Sequence, residues 1–316
     1  TLRWILKGHT DWVWCAVFST DSTLLASASD DETVRLWSTH TGKLLHILVG
    51  HEDRVFSVSF SADGRRLASM SEYEPVLLWC VETGTRQRIF GGKEGPHYSV
   101  TGVYEQQVVI YNRHIRSLTF SSDARRLAWV SDDWTVRLWE IEAQAPRILR
   151  GHEQAVVSVT FSPDSTQLAS ASQDGTVRLW NSDTSELKQI LRGHISAVLS
   201  VAFSRDSRRL ASASSDGTVR LWDTSAGTLL QTLVSQTVSL WSVIFLPDGQ
   251  WLASVSDANR VTNNLVEIWD ASTGVLRHTI HNGVQNPDAI TISPDSRVLA
   301  VGSEDCVQLW DTESFM

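Results

Sequence analysis

Three sets of residues in this chain carry the side chains of a nucleophilic hydrolase: His9, Ser27 and Asp31; His152, Ser170 and Asp174; His194, Ser212 and Asp216. A serine hydroxyl polarised by a histidine, itself oriented by an aspartate, is the constellation of acyl transfer. Two features weigh against that chemistry. A catalytic triad is built once per domain, whereas these sets recur, and no G-x-S-x-G elbow exposes any of the serines. Each set also ends on a tryptophan, Trp37, Trp180 or Trp222, and the histidine-to-tryptophan distance is 28 residues in all of them. A fourth set, His51, Ser69 and Trp79, keeps the same distance without the aspartate. Polar residues recurring at fixed spacing belong to a repeat rather than to an active centre.

The remaining chemistry is thin. His40, His46, His97, His278 and His281 are scattered without metal-ligand spacing, and Cys15, Cys80 and Cys306 form no C-x-x-C pair, so neither a metal nor a disulfide framework is expected. No glycine-rich phosphate loop occurs, and no cofactor is expected. With a net charge of −9 and only four lysines, the chain has no basic stripe for nucleic acid or an anionic membrane. No apolar run approaches the roughly 20 residues of a membrane span, and TLRWILKGHT lacks the features of a signal peptide. These readings point to a reducing compartment, the cytoplasm first and the nucleus as the alternative.

The elements that position these residues follow from the repeat. The 316 residues include 14 tryptophans against 4 tyrosines, and seven tryptophans recur in one local context, directly after a Leu or Ile near the end of a strand-like run: Trp37, Trp79, Trp139, Trp180, Trp222, Trp269 and Trp310. Their spacings are 42, 60, 41, 42, 47 and 41, a period near 42 with two stretched intervals. Within Gly151 to Asn181, VVSVTF alternates as a strand, SPDS is a turn, LASAS a second strand, QDG a tight turn and TVRLW a third strand. ELKQILRG supplies a fourth. A four-stranded sheet of this kind has two apolar faces and cannot bury both alone; seven stacked radially bury them all.

The runs LASASQDGTVRLW and LASASSDGTVRLWD resemble the WD40-repeat family, and the resemblance covers essentially the whole chain. The Trp-Asp dipeptide itself is loose: Asp223, Asp270 and Asp311 follow their tryptophans, while Ser38, Cys80, Glu140 and Asn181 stand elsewhere. The expected fold is therefore an all-β, seven-bladed propeller of four-stranded antiparallel blades. Its blades are expected near residues 10–50, 51–90, 112–150, 151–192, 193–234, 236–280 and 283–311 plus 1–7, with 91–111 an insertion. The chain is read as one domain. The last unit lacks a fourth strand and LRWILK precedes the first unit, so residues 2–7 are expected to close the ring on the last blade.

The resemblance implies that His, Ser, Asp and Trp of each regular repeat form a buried hydrogen-bond chain, which assigns a structural role to His9, Ser27, Asp31 and Trp37 and to their counterparts. Blade 2 has Tyr73 at the aspartate position; blade 3 has Tyr111 and Trp129 for His and Ser; blade 6 has Gln236; blade 7 has Gly283 and Val301. The resemblance also implies partner-contacting positions three and five residues after the histidine and one before the turn aspartate. In blades 1 to 3 these are Trp12, Trp14, Asp30; Arg54, Phe56, Glu72; and His114, Arg116, Asp132. Blades 4 and 5 offer Ala155, Val157, Gln173, Ala197, Leu199 and Ser215; Trp241 and Asp288 stand at these positions in blades 6 and 7.

Trp, Phe and Arg are the residue types of interface hot spots, so the half of the ring carrying them is the expected binding face. Its carboxylates favour a basic or cationic segment. The insertions at 91–113 and 256–264 fall on the same face. The expected function is a non-enzymatic, monomeric protein- or peptide-recognition scaffold. The regular repeats also resemble sensor propellers attached to NACHT or NB-ARC signalling ATPases, which suits a domain cut from a longer protein. A small-molecule enzyme with a site at the channel mouth, lined by Trp12, Phe56, His114 and Trp241, would need a positioned base, and His114 alone qualifies.

Overall fold

Each repeat becomes a sheet because its turns are specified locally. In blade 4 the Ser162 hydroxyl and the Thr166 amide both donate to Asp164 Oδ1, and Ser165 takes a φ of 61°. This turns the alternating strand Val156–Phe161 into Gln167–Ser172. The computed structural model describes residues 2–71, 75–90, 117–237, 239–256, 265–281, 289–303 and 306–311.

Seven four-stranded antiparallel sheets form, and in six of them chain order runs directly across the sheet. Blade 1, for example, consists of Val13–Phe18, Leu24–Ser29, Thr33–Ser38 and Leu44–Val49. The first strands of successive blades pack on one another and are innermost; the fourth strands form the outer wall. In the seventh sheet the inner three strands are Ala289–Ile292, Val298–Ser303 and Cys306–Asp311, and the outer strand is Leu2–Lys7 from the far end of the chain. The closing strand pairs Leu6 with Val307 and Lys7 with Cys306, and Arg3 meets Asp311 at 2.7 Å.

The core lies in the seams between blades. Ala26, Leu36 and Leu48 of blade 1 pack against Val58, Leu67 and Trp79 of blade 2, and the pattern recurs around the ring. At the closing seam the buried Leu6 joins Val307 and Leu309 against Val13, Phe18 and Trp37 of blade 1. Trp4 crosses to the same neighbour and lies over Gly42, where a Cβ would approach the indole to 2.9 Å. Gly42 also holds a φ of 67°, so both space and backbone require glycine.

Arg66, Arg126 and Arg209 differ from the sequence expectation. As second members of the pairs Arg65-Arg66, Arg125-Arg126 and Arg208-Arg209, they read as solvated turn charges. Instead each guanidinium reaches into the next blade: Arg66 donates to Ala124 O (3.0 Å), Arg126 to Ser165 O (3.1 Å) and Ser182 Oγ (3.0 Å), and Arg209 to Gly249 O (3.0 Å) and Ala271 O (3.1 Å). The planar fork satisfies carbonyls that a turn leaves unpaired.

Candidate functional site

The polar sets form continuous hydrogen-bond chains in blades 1, 4 and 5. The Trp37 indole N–H donates to Ser27 Oγ (2.8 Å), Ser27 lies 2.7 Å from His9 Nε2, and His9 Nδ1 lies 2.8 Å from Asp31 Oδ2. Distances agree within 0.1 Å for Trp180–Ser170–His152–Asp174 and Trp222–Ser212–His194–Asp216. With Nδ1–H donating to the carboxylate, Nε2 accepts the serine proton, and every donor in the chain is used. Burial pushes the Asp31 carboxyl up, but hydrogen bonds from His9, Thr33 and the Thr10 amide outweigh it and hold the group well below the carboxylate range; Asp174 behaves alike. Burial also lowers the His194 imidazole. Ser27, Ser170 and Ser212 are fully buried, and each already accepts an indole N–H, so none presents a nucleophile to a substrate.

In blades 1, 4 and 5 the Gly of the Gly-His pair leaves room for the arginine two residues before the network tryptophan, Arg35, Arg178 or Arg220. A Cβ on Gly8, whose φ is 155°, would meet Arg35 Nη1 at 2.5 Å.

The irregular blades resolve the network in different ways. In blade 2, Trp79 donates to Ser69 (2.7 Å) and Ser69 lies 2.6 Å from His51 Nε2, but the buried His51 Nδ1 has no partner among the described residues. Tyr73, which stands at the aspartate position, lies outside those residues. Burial, reinforced by the Arg86 charge, lowers the His51 imidazole to about 4. Because the unfolded histidine titrates near 6.5, the neutral form is favoured by folding. His51 should then remove up to about 3 kcal/mol of stability as pH drops from about 6.5 to 4, its own contribution levelling off below that while the depressed Asp31 and Asp174 carboxyls carry the loss further. Urea midpoints measured across that window should show this slope, reduced in His51→Gln; an unchanged slope in the variant would remove His51 as its source.

In blade 3, Trp129 replaces the serine and stacks on Trp139 at 5.8 Å and 18°, while Phe90 meets Trp139 edge-on at 5.3 Å. An aromatic cluster thus takes the place of the polar one. In blade 6, which lacks the histidine, the fully buried Glu267 does its work: it accepts from Ser235 Oγ (2.7 Å) and the Gln236 amide (3.0 Å), and Ser254 Oγ, which takes the Trp269 N–H at 2.8 Å, lies 3.5 Å away. The sequence reading missed Glu267. Its signal was a glutamate two residues before Trp269, where the regular blades carry Arg35, Arg178 and Arg220.

On the loop face, the structure brings together Trp12, Trp14 and Phe56, all half-buried. Trp12 stacks on Trp14 at 6.4 Å and 27°, and Trp14 meets Phe56 across the blade 1–2 seam at 5.5 Å. Beneath them Asp30 accepts the Trp14 indole N–H at 2.5 Å and faces Arg54 Nε at 3.9 Å. Burial raises the Asp30 carboxyl, Trp14 and Arg54 oppose that, and the Asp11 and Asp53 charges add to it. Asp30 therefore fixes the ring of Trp14 rather than standing open. Trp241 is half-buried in another seam, packed on Leu246, Val255 and Val266. Asp132 is exposed on its turn; Glu72, His114, Arg116, Asp288 and the segments 91–113 and 257–264 lie outside the described residues.

A closed ring of blades pinned by buried polar chains, with a half-exposed aromatic patch on its loop face, defines a β-propeller of the interaction type. The chain belongs to the WD40 family: the WD domain, G-beta repeat, matches residues 1–38, 42–71, 105–140, 144–181, 185–223, 227–270 and 275–311. Among curated relatives, WD repeat and SOCS box-containing protein 1 of Danio rerio is 46% identical over 46% of this chain and 33% of its own length. The probable E3 ubiquitin ligase complex SCF subunit sconB of Arthroderma otae is 55% identical over 13% of this chain and 6% of its own. Human apoptotic protease-activating factor 1 is 48% identical over 13% of this chain and 3% of its own. The chain thus spans a third or less of each of these relatives. WD40 propellers typically act as scaffolds for protein interaction.

Proposed function

We propose that this propeller is a non-enzymatic recognition platform that grips a protein or peptide segment on its loop face, with a basic or cationic group seated on the aromatic patch of blades 1 and 2. The observation that carries the reading is the half-exposed Trp12–Trp14–Phe56 group, held from beneath by Asp30, with the Asp11 and Asp53 carboxylates near enough to act on Asp30. Aromatic faces attract cations, and the carboxylates repel acidic competitors. The platform acts as a monomer in a reducing compartment, in keeping with Cys15, Cys80 and Cys306, which form no C-x-x-C pair.

The test is affinity capture from native lysate with the wild type and a Trp12→Ala/Phe56→Ala variant of unchanged melting temperature. At least one partner should fall about tenfold or more in recovery with the variant, as hot-spot truncation does. Equal recovery of every partner would make these aromatics packing residues and move the site elsewhere. A second reading, that the propeller is the ligand-sensing part of a longer signalling protein, draws on the local match to apoptotic protease-activating factor 1. A G-x-x-x-x-G-K-S/T loop upstream in the same gene would support it.

A further inference from the structure

The turn between the second and third strands of blade 3 carries an aromatic side chain that the three expected contact positions pass over. Trp134 is 49% exposed and holds a φ of 64°, the only aromatic residue with a positive φ among the described residues. The equivalent positions are Gly175 and Gly217 in blades 4 and 5, with φ of 77° and 78°, and Glu32 in blade 1, with φ of 66°; only in blade 3 does this position carry a ring. Left-handed backbone is a glycine position, and a bulky side chain there is strained. The turn dictates the conformation, but nothing in the fold calls for a half-exposed indole there, and a large ring held at such a position points to a contact outside the chain.

The turn is nevertheless well built. Trp134 N donates to Ser131 O (3.1 Å) and Ser131 N to Thr135 O (3.0 Å). Asp133 accepts from Thr135 and pairs with Arg137 at 2.8 Å. The ring is therefore displayed on a fixed base, on the same face as the Trp12 patch, with the exposed carboxylate of Asp132 two residues away.

We propose that Trp134 is a second anchor for the same ligand, so that the preferred partner is a segment with two cationic side chains, one on the Trp12–Phe56 patch and one on Trp134. This rests on the basic-segment reading given above and adds to it a requirement for spacing. Two linked contacts gain from effective concentration, and the gain depends on whether the linker spans the gap.

The probe is a series of peptides with arginine at both ends and glycine-serine linkers of increasing length, together with a single-arginine peptide. Binding is read from the indole N–H resonances of protein labelled with 15N-tryptophan. At one intermediate linker length the Trp12 and Trp134 signals should move together, with affinity about tenfold or more above the single-arginine peptide. In Trp134→Gly that gain should vanish, single-arginine binding at Trp12 should persist, and the melting temperature should rise by about 2 °C as strain is released. A Trp12 response with no dependence on linker length overturns the second anchor and leaves the first reading intact. No response at either indole overturns both. A lower melting temperature in Trp134→Gly would show the ring to be packing, and also overturns the proposal.

Discussion

A chain lacking residues 1–8 should melt at least about 10 °C below the full ring, as one cooperative unit rather than with a frayed edge. The closing strand buries Leu6, which is 1% exposed, in the blade 7–1 seam. Burial of that leucine contributes about 2 kcal/mol. Each backbone pairing to Cys306–Asp311 adds about 0.5–1.5 kcal/mol net. Removal also uncovers Val307 and Leu309, both fully buried in the closed ring. Calorimetry of the truncated chain checks this, and a synthetic peptide of residues 1–8 added in trans should recover part of the loss. An unchanged melting temperature would mean that the ring does not depend on its seventh outer strand.

The second large effect is expected from one oxygen atom. Ser212→Ala should cost about 2–4 kcal/mol, because it strands the Trp222 indole N–H and the His194 Nε2 in a site without water access. Ser69→Ala in blade 2 should cost a similar amount, whereas in blade 7, where Val301 replaces the serine, the Trp310 indole N–H has no partner among the described residues. Denaturant midpoints of the two variants test the claim. A Ser212→Ala chain as stable as wild type would deny the network its structural role and reopen the hydrolase reading.

What could be read from the sequence was whatever repeats. The 28-residue distance placed His9, Ser27 and Trp37 in one unit, and the resemblance to the WD40 family implied the hydrogen bonds that join them. The missing fourth strand after Trp310 and the surplus strand before His9 made ring closure legible. Contacts across seams were not legible, because they join residues some 40 to 60 positions apart that no local pattern links. Arg126 looks like a turn charge until the neighbouring turn at Ser165 is set beside it. Glu267 and Trp134 escaped for a related reason: each is a single departure inside an otherwise regular unit, and its meaning depends on what surrounds it. The same holds for the aromatic patch, where sequence named the residues but only the seam geometry joined Trp14 to Phe56 while leaving Trp241 in a different seam.

The closing strand also sets a clock on biosynthesis. Leu2–Lys7 is made first within the ring, yet its partner Cys306–Asp311 emerges about 300 residues later. At about 5–20 residues per second this is a wait of roughly 15–60 s. Throughout that interval Leu2, Trp4, Ile5 and Leu6 form an apolar ribbon with unpaired backbone amides, while six complete sheets can assemble behind it. The ring is thus exposed to wrong pairing at this strand until its last blade is made, and a holdase that shields this one segment would protect the whole propeller.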